Sequence, residues 1–194
     1  MKKTMLFTLI LLASFSCCYY SDTSDDEWSI ESEYGSDIYR KGNEKRVLIM
    51  GDSRGKRGLT WPWLPYTILN VSRGGETTEY TISRLNMIDE FDPDVVVVFS
   101  GINDRTKLSS TIFENNIDYI ENYVTSRGIK LILVDILVNP LCYDAGFDPF
   151  RDYIAGSPYY LQTNHTPLWF EDTCHLSRIG YPALSVLLRA KIDE

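Results

Sequence analysis

Two histidines are all that this chain of 194 residues contains. Of its four cysteines, two are the adjacent Cys17 and Cys18 near the start. So sparse a Cys/His content offers no ligand cluster, and neither a metal nor an organic cofactor is expected. No run of lysine or arginine interrupts a composition whose formal charge is −8. That excludes the usual footprint for nucleic acid or an anionic membrane surface. No phosphate-cradling G-x-x-x-x-G-K-[ST] loop occurs, and there is no internal repeat. The one leading apolar run, Met5 to Phe15, is too short to span a bilayer comfortably. What is present, 44% hydrophobic and 13% aromatic residues, suffices for the core of one domain.

The apolar run follows the positive pair Lys2-Lys3 and ends in Ser14-Phe15-Ser16-Cys17-Cys18. This is the layout of an export signal over residues 1–17, of lipoprotein type with Cys17 as the lipidated residue. Ser14 and Ser16 also suit an ordinary signal peptidase cutting before Cys17. The expected location is the bacterial cell envelope, or secretion, with membrane contact only through the lipid anchor. Residues 18–45 turn to Ser, Asp and Glu and are expected to form a flexible tether, with Trp28, Ile30 and Tyr34 as local contacts. The domain then occupies 46–194.

From Val47 the pattern alternates. Val47–Met50 reads as a strand buried on both faces, and a second short strand ends near Asn70-Val71-Ser72. Thr78 to Phe91 reads as one helix, stopped by Asp92-Pro93. A strongly apolar strand follows at Asp94–Gly101. Phe113, Ile117, Ile120 and Val124 keep the helical period, with Thr111 and Glu114 as a capping-box pair and Gly128 past the end. Lys130–Leu137 is a fourth strand, and a closing helix runs from Ile179 to Ile192 after a long loop. Strands alternating with helices imply an α/β fold with a central, mostly parallel sheet.

Parallel strands share one carboxyl edge, where α/β proteins place their sites. Three strands end there in Gly51-Asp52-Ser53, in Asn70 through Thr77, and in Gly101-Ile102-Asn103-Asp104. Asp172 and His175 follow on one loop near the C-terminus. Acyl transfer needs a nucleophile, a base, a group to orient the base, and donors for the oxyanion. Ser53, His175 and Asp172 can supply the first three. The Gly75 N–H and the Asn103 amide can serve as donors.

On these blocks the sequence resembles the SGNH (GDSL-type) hydrolases. Gly51-Asp52-Ser53 matches the first block, and Asn70, Gly75 and Thr77 the second. Gly101, Asn103 and Asp104 match the third, and Asp172 and His175 the last. The resemblance spans roughly Val47 to Ile192. It implies a flavodoxin-like, three-layer α/β/α sandwich and a serine esterase working through an acyl-enzyme. In that reading Ser53 is the nucleophile and its own N–H joins Gly75 and Asn103 in the oxyanion hole. His175 is the base and Asp172 its partner. The implied substrate is a small-molecule or glycan ester, such as an O-acetyl group on a glycan. An O-acyltransferase, or a glycan-binding module on a degenerate hydrolase fold, are the alternatives.

Two positions depart from the family's pattern: Arg54 stands where many members have Leu, and Ser72 where many have Gly. Arg54 is expected to place a cation beside the nucleophile and to bear on substrate choice. Gly51 to Gly55 also spells the G-x-S-x-G elbow of α/β-hydrolases. Only a tether precedes it here, and one loop holds both acid and base, so the elbow is disfavoured. His165, the rival base, lacks an aspartate three residues before it. The aromatic groups at 61–66, 157–161 and 167–170 are expected in loops, covering the core edge or meeting a sugar or acyl chain. Cys142 and Cys174 could be joined in a disulfide or remain thiols.

Overall fold

In the computed structural model, which describes residues 37–39, 45–58, 61 and 64–194, the apolar runs become neighbours in one sheet. Strands β2 (Arg46–Gly51), β3 (Thr67–Asn70), β4 (Val95–Phe99) and β5 (Lys130–Val134) run parallel. Strand β6 (Tyr160–Leu161) adds a parallel edge beside β5, and β1 (Asp37–Tyr39) an antiparallel edge beside β3. The order is β1-β3-β2-β4-β5-β6.

Successive strand side chains point to opposite faces, and the runs are apolar on both. Leu48, Met50, Val96, Val98, Leu131 and Leu133 face one way. They meet Ile88 of α3 (Asn86–Phe91), Phe113, Ile117, Ile120 and Val124 of α5 (Ser110–Thr125), and Phe150 and Ile154 of α6 (Asp148–Ala155). Val47, Ile49, Val95, Val97, Phe99, Ile132 and Val134 face the other way. There they meet Trp61, Tyr66 and the Tyr181, Leu184, Leu188 and Ile192 stripe of α7 (Gly180–Asp193). The result is a three-layer α/β/α sandwich with a core on each face of the sheet.

Several local expectations are corrected. The helix expected over 78–91 is two, α2 (Thr78–Ser83) and α3. Arg84 leaves helical geometry at φ −110°, and the N–H groups of Arg84, Leu85 and Met87 bond three residues back rather than four. That tighter turn lets both Leu85 and Ile88 enter the core. The cap of α5 is Ser109, not the Thr111 and Glu114 pair: its extended backbone lets Oγ accept from the Ile112 N–H at 3.3 Å. The long loop after β5 contains α6, whose Phe150 and Ile154 are four residues apart and buried, and the edge strand β6. Within the stretch read as tether, Asp37–Tyr39 is the edge strand β1. The export signal, Cys17 and Trp28 lie outside the described residues.

Candidate active site

Strand β2 ends at Gly51 with φ +119°, where an added Cβ would lie 1.8 Å from the Phe99 carbonyl oxygen. Only glycine lets the chain turn this close to β4. Asp52 then caps α1 (Ser53–Lys56), its Oδ1 accepting from the Arg54 N–H at 2.9 Å. Ser53 is thereby held as the first helical residue at the carboxyl edge of the sheet, half-buried.

Asp172 and His175 arrive on a loop that the rest of the protein shapes. Phe170 and Leu176 form an antiparallel bridge, and the Glu171 N–H donates to the His175 carbonyl at 3.0 Å. From the segment after β5, Asn139 donates its backbone N–H to the Thr173 carbonyl at 3.0 Å and its side-chain amide to the Asp172 carbonyl at 3.1 Å. Asp172 Oδ1 accepts from the N–H groups of Cys174 (2.8 Å) and His175 (2.7 Å). Its other oxygen, Oδ2, lies 2.7 Å from His175 Nδ1. A carboxylate only accepts, so Nδ1 carries the proton and Nε2 presents a lone pair. Ser53 Oγ lies 3.0 Å from that Nε2 and donates to it. Burial pushes the Asp172 carboxyl up, but the two backbone N–H groups and the imidazole outweigh this and hold it below the usual carboxylate range.

Asn103, half-buried, lies between β4 and the short helix α4 (Asp104–Lys107), with its Nδ2 donating to the Glu76 carbonyl at 2.9 Å. A primary amide has two N–H donors, so one remains for a ligand. Gly75 sits in the facing loop at φ +76°. The buried Asp104 ties the two loops together: it accepts from the Thr78 N–H (2.9 Å), the Thr78 hydroxyl (2.6 Å) and the Gly101 N–H (2.9 Å). Thr78 was not singled out by sequence, because its partner is 26 residues away.

Arg54 is not a cation offered to a substrate. It is fully buried, and its guanidinium donates to both Asp52 oxygens and to the Ser100 carbonyl. Burial opposes its charge, but Asp52 outweighs that and raises its pKa. Trp61 and Tyr66 are core residues: Trp61 is fully buried, with its indole N–H on the Gly55 carbonyl at 2.8 Å. Phe170 is buried and Trp169 half-buried, while Leu168 is exposed. Cys142 and Cys174 are thiols that line one cavity of about 30 Å³ together with Ile102, Val138 and Thr173. Against the expectation that no ligand cluster exists, the ligand atoms of Asp172, Cys174 and His175 all lie within 4.8 Å of one another.

His165 does have a carboxylate in space. Its Nδ1 is 3.9 Å from Asp135 Oδ2, with the Thr163 hydroxyl between them, 2.8 Å from Nδ1 and 3.0 Å from Oδ2. Its Nε2 lies 3.1 Å from the Val138 carbonyl. A carbonyl cannot donate, so this Nε2 carries the proton and is committed. Burial, opposed by Asp135, lowers the His165 pKa and keeps the ring neutral.

No family model and no curated protein matches the chain. Solved structures do. A protein of Bacteroides fragilis described as an acylhydrolase superposes with a TM-score of 0.64 at 19% identity, covering 80% of this chain and 89% of its own. A GDSL-like lipase from Bacteroides thetaiotaomicron gives 0.62 at 16% identity, covering 77% and 88%. A variant of an acetyl-xylooligosaccharide esterase from Geobacillus gives 0.61 at 16% identity, covering 79% and 96%. The fold is that of the SGNH, or GDSL-like, hydrolases.

Proposed function

We propose that this protein is a serine esterase that cleaves its substrate through an acyl-enzyme. The observation that carries the reading is the continuous line from Ser53 Oγ to His175 Nε2 at 3.0 Å and from His175 Nδ1 to Asp172 Oδ2 at 2.7 Å. Ser53 Oγ attacks the ester carbonyl carbon while its proton passes to Nε2. The oxyanion that forms is held by the N–H groups of Ser53 and Gly75 and by the second N–H of Asn103. Collapse expels the alcohol, which takes the proton from Nε2. Water then repeats the sequence on the acyl-enzyme, with His175 again as base, and frees Ser53. Asp172 keeps the imidazole in the tautomer with Nε2 free and balances the charge it gains.

An O-acyl group, and among these O-acetyl on a glycan, is the substrate class we favour. One protein of the same fold acts on acetyl-xylooligosaccharides, and the signal-like start of this chain directs it to the envelope, with Cys17 as its lipid anchor. A fluorophosphonate probe should label Ser53, and labelling that persists in Ser53→Ala would refute the nucleophile. Turnover of p-nitrophenyl esters of rising chain length, alongside acetylated xylan and peptidoglycan, tests the acyl group. A preference for long chains over acetyl would reject the glycan O-acetyl reading. The anchor is tested by the mass of the protein's N-terminus from its natural host. An unmodified Cys17 would leave export without lipidation.

A further inference from the structure

We propose that Asp172, Cys174 and His175 form a site for a thiophilic divalent cation, Zn²⁺ foremost, which turns the Ser53 centre off by occupying Nδ1 of the imidazole. The three residues span four positions of one loop. Asp172 Oδ1 is pinned by two backbone N–H groups, which leaves Oδ2 as the ligand atom. That oxygen is 2.7 Å from His175 Nδ1, and Cys174 Sγ is 3.8 Å from the same nitrogen. Oxygen, nitrogen and sulfur all fall within 4.8 Å of one another. Bonds of about 2.0–2.3 Å at tetrahedral angles place zinc ligands about 3.3–3.6 Å apart. The sulfur is already near that spacing from Nδ1. The carboxylate must move outward by about 0.6 Å to reach it, and a side chain 44% exposed can do so.

The donor set selects the cation. One thiolate, one imidazole and one carboxylate suit Zn²⁺ and not Mg²⁺ or Ca²⁺, which take oxygen ligands. A thiolate and a carboxylate neutralise the two positive charges, and the exposed side of the loop leaves the fourth position to water. Cation binding displaces one proton, that of the Cys174 thiol. The imidazole keeps its single proton, but the metal takes the Nδ1 lone pair, so the proton moves to Nε2. There it donates to Ser53 Oγ instead of accepting from it. A base whose accepting nitrogen is already protonated cannot activate the serine.

The inhibitory consequence rests on the esterase reading above; the binding itself does not. The test uses the intact protein, freed of metal by a chelator, with p-nitrophenyl acetate as substrate. Zn²⁺ should inhibit and excess chelator should restore turnover, while Mg²⁺ has no effect. Cys174→Ser should keep its metal-free turnover yet need at least about tenfold more Zn²⁺ for half-inhibition, since losing even an outer partner of a metal costs that much. Equal inhibition of both proteins, or none of the wild type, overturns the site. Calorimetry of Zn²⁺ binding and a thiolate-to-metal charge-transfer band with Co²⁺, each compared between wild type and Cys174→Ser, need no turnover. If the metal-free wild type hydrolyses no ester, the esterase reading falls and these two measurements still judge the site. Binding that does not depend on Cys174 overturns it.

Discussion

The two histidines each stand near an aspartate but are held in opposite tautomers. Each has an aspartate on its Nδ1 side, Asp172 directly for His175 and Asp135 through the Thr163 hydroxyl for His165. The difference lies at Nε2. For His175 it faces a serine hydroxyl that can give up a proton, and for His165 it faces the Val138 carbonyl, which can only accept. An aspartate–histidine pair is therefore no sign of a base. What makes a base here is a lone pair on the nitrogen that faces a serine hydroxyl; in His165 the proton sits on Nε2, and the lone pair, on Nδ1, faces the Thr163 hydroxyl instead.

The largest effect that separates the pair is on turnover. His175→Ala should lower kcat on a small activated ester by about 10⁴-fold or more, with little change in melting temperature. A dead His165→Gln beside an active His175→Ala would reverse the comparison. Asn103 stands between the two histidines, because one amide proton is committed to Glu76 and the other is not. Asn103→Ala should cost about 10²–10³-fold in kcat with a modest change in KM. Turnover near wild type would leave Asn103 as a loop residue only.

The aspartates should divide the other way. Asp135 is fully buried and accepts from Thr163 and from Arg151 Nε at 3.3 Å. Asp135→Ala leaves those donors short of a partner and should cost about 1–3 kcal/mol of stability by denaturant titration. Asp172→Asn should instead lose turnover, by up to about 10⁴-fold, with a smaller stability change. Equal stability losses would mean that both aspartates are structural.

The smallest effect is in the pH dependence of stability. The His165 pKa is lowered by burial in the folded protein. Below its unfolded value of about 6.5 the unfolded chain therefore binds more protons. The stability from the neutral ring is full above that pH and is lost as pH falls toward the folded value. Melting temperature should decline from pH 7 downward in wild type and less steeply in His165→Gln. Asp172, also lowered, adds stability above the ordinary carboxylate range that is lost only at more acid pH. A slope at pH 5 to 7 unchanged by His165→Gln would remove the buried neutral imidazole from the account.

Much of this architecture was legible in the residues. Apolar runs bounded by glycine and proline mark β2, β4 and β5, and the 3.6-residue stripe of Phe113, Ile117, Ile120 and Val124 marks α5. Ser53 and Asn103 stand out because strand ends in a parallel sheet must meet at one edge, and Asp172 and His175 because they lie three residues apart on one loop. The rest was hidden for a physical reason. Arg54 reads as a surface cation until Asp52 and the Ser100 carbonyl enclose it. Asp104 reads as a turn residue until Thr78 closes on it.

Local periodicity and turn chemistry thus determined the strands, the main helices and which residues could reach the sheet edge, since each depends on neighbours a few positions away. Only the tertiary structure decided which groups are buried, what each polar atom faces, and that Cys174 Sγ lies beside the Asp172–His175 pair. Those properties depend on chain segments far apart in sequence. The Val138 carbonyl, 27 residues from His165, is the contact that separates one histidine from the other.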